Sequence, residues 1–214
     1  MLGYLPQTLW LTAASLAVGA ALGVMVTYVR YYRVPALRAG CDVFVSFIKG
    51  TPPLIHLLVV YYSMNRLLSG LGVRDSEFVC AILALGINSG AFMSEALLAA
   101  LHSVPSGQIE AGYSVGMTRS RLMRRIVLPI ALPVALPNLF NICFTIFKES
   151  PLVYAIGVIG VMTGARLISS SNFRTIEAYI AAALIYIPIC ALAELGGHLM
   201  QNRLRRHVRS PAGA

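Results

Sequence analysis

Lysine occupies only two of the 214 positions, Lys49 and Lys148, and neither sits in the GxxxxGK[ST] spacing that cradles a nucleotide's phosphates. No HExxH or GxSxG is present, and the lone serines and histidines form no nucleophile–base arrangement. An ATPase or hydrolase site within the chain is therefore not expected. The four cysteines, Cys41, Cys80, Cys143 and Cys190, lie far apart with no CxxC or Cys/His cluster. They read as small apolar fillers and support neither a disulfide framework nor a metal site.

Charge is the other shortage. Only 12% of residues are charged, whereas a soluble domain is nearer a quarter, and 57% are hydrophobic with mean hydropathy +0.75. A water-soluble core of this size cannot hide so much apolar surface, so the solvent is expected to be lipid. The net charge of +9 then reads as cationic loops that set topology and touch anionic lipid, not as a nucleic-acid surface.

Gaps between charges mark the spans, because a bilayer core needs about 20 apolar residues per helix. They fall at about 9–29, 52–68, 78–101, 136–161 and 178–197, a single transmembrane domain over 1–200 followed by a basic tail at 201–214. The first lacks the basic start of a signal peptide and is read as an uncleaved anchor. Pro129, Pro133 and Pro137 are expected to make 126–135 a kinked approach to the fourth. With the N-terminus outside, the cytoplasmic segments hold Arg30, Arg33, Arg38 and Lys49, then Arg119, Arg121, Arg124 and Arg125, then Arg203, Arg205, Arg206 and Arg209. The outer loops hold only Arg66, Arg74, Arg166 and Arg174. That asymmetry predicts five spans, N-terminus out and C-terminus in. Small residues one turn apart, Gly19/Gly23, Gly86/Gly90 and Gly160/Gly164, predict close helix packing.

One loop, 103–129, is polar. Pro105, Ser106 and Gly107 suit a helix start, Gln108 to Val115 fits two turns, Gly116 suits a left-handed stop, and Thr118 is placed to cap a second helix from Arg119 to Ile126. Such a hairpin can rest on headgroups, which accounts for its arginines. It can equally seat in a partner's groove, which accounts better for Glu110 and the small pair Ala111–Gly112.

Intramembrane charges need explanation too, since each of Glu95, Lys148 and Glu149 would cost about 2.5–3.5 kcal/mol or more if it faced lipid. Lys148 paired with Glu95 or Glu149 is a structural solution. The functional one is a site for a zwitterion, with Lys148 for its carboxylate, a glutamate for its ammonium, and Thr51 and Ser150 as neutral partners. An ion-coupled secondary transporter or a docking scaffold also keeps buried charge, although no internal repeat is visible.

Four segments in order carry a resemblance. Glu110-Ala111-Gly112, three residues, Gly116, nine residues and Ile126-Val127-Leu128-Pro129 resemble the EAA loop, E-A-A-x3-G-x9-I-x-L-P, of bacterial ABC importer permeases. "IKGTPPLIHLL", "SVPSGQIEA" and "LPNLFNICFTIFKESPL" are similar to segments of the polar amino-acid permeases of the histidine and glutamine type. The resemblance covers nearly the whole chain. It implies the type I importer fold and a binding-protein-dependent permease in the bacterial inner membrane, with no cofactor of its own. It also implies two cytoplasmic ATPase subunits carrying ATP and Mg, a second permease subunit (same or homologous) and an extracytoplasmic solute-binding protein. Glu110, Ala111, Gly112 and Gly116 would couple the loop to the ATPase. Departures are Gly112 for the second alanine, Pro151 in a polar position, His56 where glutamine is usual, and Leu98 where an arginine commonly stands. Leu98 removes an expected carboxylate ligand. His56 is expected to be a hydrogen-bonded histidine between helices.

Overall fold

Twenty-seven residues from Leu5 to Tyr31 contain no proline beyond the first turn and no charge before Arg30, and they form one uninterrupted helix, α1. A computed structural model describes residues 2–209. After α1 come α2 (Leu37–Gly50), α3 (Pro53–Gly70), α4 (Ser76–His102), α5 (Ser106–Ser114), α6 (Arg119–Leu122), α7 (Leu128–Glu149), α8 (Val161–Asn172) and α9 (Thr175–Arg209). A π-helical turn, Met123–Val127, joins α6 to α7, and a 3-10 turn, Ser150–Ile156, follows α7. No strand occurs among the described residues.

Four stretches are long and apolar enough to cross a membrane: Leu2–Tyr31, Ser76–His102, Arg119–Ile156 and Thr175–Gly197. A fifth exists only if α2 and α3 count together, and these meet at 114°. The span expected at 52–68 falls on α3, Pro53–Gly70, which joins α2 at that bend. Thr51 and Pro52 both take extended backbone, ψ 142° and 139°. Each precedes a proline, which disfavours helical ψ, and Pro52 and Pro53 have no N–H to continue the ladder.

The expected fourth span at 136–161 is corrected at both ends. Helix runs without a gap from Arg119, with Pro129 in the first turn of α7 and Pro133 and Pro137 inside it. Interior prolines are tolerated in membrane helices because local adjustments and neighbouring groups satisfy the freed carbonyls. The run stops at Gly157, whose φ of +85° ends the 3-10 turn, so Gly160 and Gly164 belong to a separate turn and to α8. The last helix outruns the expected 178–197 on both sides. Of the basic tail expected at 201–214, α9 includes residues to Arg209, and 210–214 lie outside the described residues.

Glycine pairing sets the central contact. A Cβ on Gly19 would lie 1.9 Å from Ser89 Oγ, and one on Gly23 would lie 2.9 Å from Met93 Cβ and 3.1 Å from the Gly90 carbonyl oxygen. One turn on, Thr27 Oγ1 donates to the carbonyls of Gly23 (2.7 Å) and Ser94 (3.2 Å). Numbers rise together along both helices, so α1 and α4 run parallel, with the α2–α3 pair returning the chain between them. Gly164 meets the Tyr4 ring in the same way, 2.6 Å from a built Cβ. Such approach gives van der Waals contact that lipid cannot replace. Helix α7 lies antiparallel to α4: Asn88 reaches Glu149, while Ala100 joins Ala131 and Ala135 in one buried cluster.

The two ends differ. At one, Tyr31 stacks near His102 (5.9 Å) and the Arg119 guanidinium covers the Tyr32 ring at 4.1 Å, so the α5–α6 hairpin sits beside the C-terminal ends of α1 and α4. At the other, Ser69 and Ser76 hydroxyls lie 3.0 Å apart, and Gln7, Asp75 and Gly157 line one cavity.

Candidate functional site

The polar hairpin is built by its glycines. Helix α5 ends where Gly116 takes φ +76°, and the Gly116 N–H donates to the Tyr113 carbonyl (2.9 Å) while that of Met117 donates to Gly112 (3.1 Å). This pair of bonds is a Schellman stop. A Cβ at Gly116 would meet nothing within 4 Å, so the glycine is there for its backbone conformation alone. Gly112 differs: it is buried, and a Cβ there would lie 2.2 Å from Leu122 Cδ1 and 3.1 Å from Ile126 Cδ1. Its small size lets the second limb of the hairpin close on the first, so it does not face outward with its neighbours. Glu110 and Ala111 are exposed. Thr118 has the extended backbone of a cap, φ −69° and ψ 154°, and its carbonyl accepts from Leu122 N–H at 2.9 Å. Its side chain makes no capping bond, contrary to expectation.

The intramembrane charges do not pair as expected. Glu95 forms an ion pair with Lys49, and Arg30 Nη2 approaches it at 3.7 Å. Arg30 Nε also binds Asp42 Oδ1 at 2.7 Å, and Arg38 Nε reaches Asp42 Oδ2 at 3.5 Å. These charges tie α2 to α1 and α4. Leu98 leaves no cation on α4 itself, and Lys49 and Arg30 from neighbouring helices take that place. Lys148 pairs with no carboxylate among the described residues; its Nζ stands 4.3 Å from the centroid of the Phe144 ring. Glu149 turns the other way and accepts from Asn88 Nδ2 at 2.9 Å. Thr51 and Ser150 donate to their own helices, at the carbonyls of Phe47 and Phe147.

Between α4 and α7 lies a cleft of about 580 Å³, lined in part by Glu95, Leu98, His102, Asn138, Asn141 and Thr145. Asn138, Asn141, Thr145 and Lys148 follow i, i+3, i+7, i+10 and so form one polar stripe along an otherwise apolar helix. That periodicity was available from the residues; the apolar average over the segment masked it. Asn88 and Arg30, by contrast, carry no signal without their partners. Polar groups at this depth are stable only against protein or water. The cleft thus brings the Glu95 carboxylate and the polar side chains Asn138, Asn141 and Thr145 to one seam between α4 and α7, while Lys148 continues the stripe one turn beyond the lining.

His56 is buried at 6% exposure with both ring nitrogens unpartnered, its ring 6.0 Å from that of Phe47. The hydrogen-bonded histidine expected there is not found. The four cysteines are free thiols. No group of three or more His, Cys, Asp or Glu side chains able to hold a metal occurs among the described residues.

Residues 19–206 match the family described as binding-protein-dependent transport system inner membrane component. The chain is 34% identical over 208 residues to the L-cystine transport system permease protein TcyL of Bacillus subtilis, covering 95% of this chain and 87% of that one. It is 35% identical over 186 residues to a probable amino-acid ABC transporter permease protein, PatM, of Vibrio harveyi, covering 87% and 83%. Among solved structures, an amino acid ABC transporter with histidines superposes with a TM-score of 0.84 at 30% identity, over 94% of this chain and 92% of that one. The MetNI methionine ABC transporter, at 20% identity, shares the fold with a TM-score of 0.77 over 95% of each chain.

Proposed function

The chain belongs to the family of binding-protein-dependent transport system inner membrane components, and from that membership we infer that it passes an amino acid or a related small polar solute along the α4–α7 seam. It is a multi-pass inner-membrane permease subunit of an ABC transporter, with the all-α type I importer fold. Membership implies ATPase and solute-binding partners; the ion-coupled and scaffold readings lose their support. The relatives carry amino acids in their descriptions, and the seam here has the matching chemistry.

The polar stripe on α7 facing Glu95 carries this reading. A zwitterion needs a cation and an anion set apart by neutral donors and acceptors. Lys148, Glu95, Asn141 and Thr145 supply these, whereas Glu149, held by Asn88, and Ser150 and Thr51, bonded to their own helices, are left out of it. Affinity in the seam stays weak because the solute-binding protein supplies the selection, and tight binding would retain cargo. Two cytoplasmic ATPases dock on the hairpins of two permease subunits, through exposed Glu110 and Ala111, with Gly112 and Gly116 holding the hairpin's shape. ATP and Mg belong to those partners. ATP-driven closure moves the hairpins together and opens the seam outward; hydrolysis returns it inward. The hairpin end is cytoplasmic, a placement supported by the arginines gathered there.

Uptake by proteoliposomes holding the assembled transporter tests the seam. Glu95→Ala with Lys148→Ala is expected to lower binding-protein-dependent uptake of the cargo at least about tenfold, the loss expected for removing two charge-assisted contacts, while the ATPase still copurifies. Uptake at the wild-type level with assembly intact would overturn the proposed path.

A further inference from the structure

Two cavities meet at the hairpin end of the membrane domain. The larger, about 360 Å³, is a slot between α1, α4 and α7 walled by apolar side chains, among them Val24, Leu97, Leu101, Leu132 and Ala135. The smaller, about 280 Å³, opens beside it under the hairpin and is bordered by Tyr113 and Arg119. Tyr31, Tyr32 and Met123 line both, so an oily cavity and a polar one adjoin at these three side chains. No acidic side chain lines either half. Arg119 makes no ion pair among the described residues; its guanidinium stands over the Tyr32 ring, 4.1 Å from the centroid, and its N–H groups make no side-chain hydrogen bond there. The slot lies at the C-terminal ends of α1 and α4, where the chain leaves the bilayer and tyrosines mark headgroup depth.

We propose that this site binds one anionic phospholipid, with an acyl chain in the slot and its phosphate against Arg119 and the tyrosine hydroxyls. Each half excludes another occupant. A free anion has no use for the apolar slot, and a zwitterionic headgroup brings a second cation beside Arg119 into a site with no acidic side chain to receive it, whereas the planar fork of Arg119 matches a phosphate. The lipid would wedge between the end of α1 and the coupling hairpin, touching the element through which the ATPase acts. The inference depends on the chain lying in a membrane, not on which solute it carries.

The test uses the assembled transporter in nanodiscs of phosphatidylcholine containing a minor fraction of phosphatidylglycerol or phosphatidylcholine with a diazirine-bearing acyl chain. Photolabelled peptides are then mapped by mass spectrometry. Labelling at 24–32 and 128–135 should favour phosphatidylglycerol about fivefold, the preference expected from one basic side chain near an anionic headgroup. Arg119→Gln should bring the two lipids level, Arg119→Lys should keep most of the preference, and Arg121→Gln, outside the site, should keep all of it. Leu132→Trp, filling the slot from its exposed side, should lower labelling by both lipids. Equal labelling of the wild type by both lipids overturns the proposal, and needs no variant to fold. So does a preference that survives Arg119→Gln, labelling suppressed by inorganic phosphate (a free-anion site), or photolabile slot positions that capture a second permease copy instead of lipid.

Discussion

Gly112 and Gly116 stand four residues apart and do opposite work. Gly116 is needed for a backbone angle, since an L-residue in the left-handed region loses about 1–2 kcal/mol, and space around it is open. Gly112 is needed for room, with Leu122 Cδ1 inside contact distance of any added Cβ. Gly116→Leu is therefore expected to leave membrane insertion unchanged and to loosen the turn. The readout is ATPase copurification and its stimulation by the solute-binding protein, both reduced. Full stimulation by Gly116→Leu would show that the turn plays no part in coupling. The charge pair Lys49–Glu95 is half-exposed on both sides (38% and 39%), so solvent screens it. Lys49→Met should change thermal stability by no more than about 1 kcal/mol, and a loss of several kcal/mol in a melting assay would show the pair to be far better shielded than these exposures allow.

At the scale of elements, the parallel α1–α4 pair is the part least able to adjust. Beyond the side chains it would meet, backbone also stands close: a Cβ on Gly23 would lie 3.1 Å from the carbonyl oxygen of Gly90, and one on Gly90 would lie 3.1 Å from that of Gly19. Backbone cannot swing aside as Leu122 can. Gly19→Val and Gly23→Val should each destabilise the detergent-solubilised chain by about 1–3 kcal/mol, the usual cost of overpacking, seen as a lower thermal midpoint. Gly3→Val, in open space, should not. The broken pair α2–α3 belongs to the same scale. Its bend follows from Thr51-Pro52-Pro53, but its direction follows from where Val45 and Ile48 bury, against Val26 and Ala91.

Across the whole molecule, the chain crosses between two ends, and the hairpin, the end of α1 and the end of α4 share one of them. Single cysteines in a chain freed of its four native ones test which side that is. Ser106→Cys should react with a membrane-impermeant thiol reagent only in inside-out vesicles, and Asp75→Cys only in right-side-out spheroplasts. The reverse pattern would invert the topology and place the hairpin out of reach of any cytoplasmic ATPase.

Much of this was legible in the residues, because membrane insertion and helix stops are local chemistry. Scarce charge, about 20-residue apolar gaps, the positive-φ demand at Gly116 and the paired glycines each act within a few residues of one chain segment. The seam was only half legible: the stripe at Asn138, Asn141, Thr145 and Lys148 is a periodicity, whereas Glu95's partners lie 46 and 65 residues away, at Lys49 and Arg30. Ion pairs are chosen by which helices become neighbours, and so Glu95 went to Lys49 and Arg30 while Lys148 stayed uncommitted. The same holds for the helix boundaries at 119 and 157, where the helix runs on through three prolines despite the backbone bonds they cannot make and a single left-handed glycine ends the run. Composition dictated that this chain lives in lipid; helix packing decided which of its few charges pair with one another and which do not.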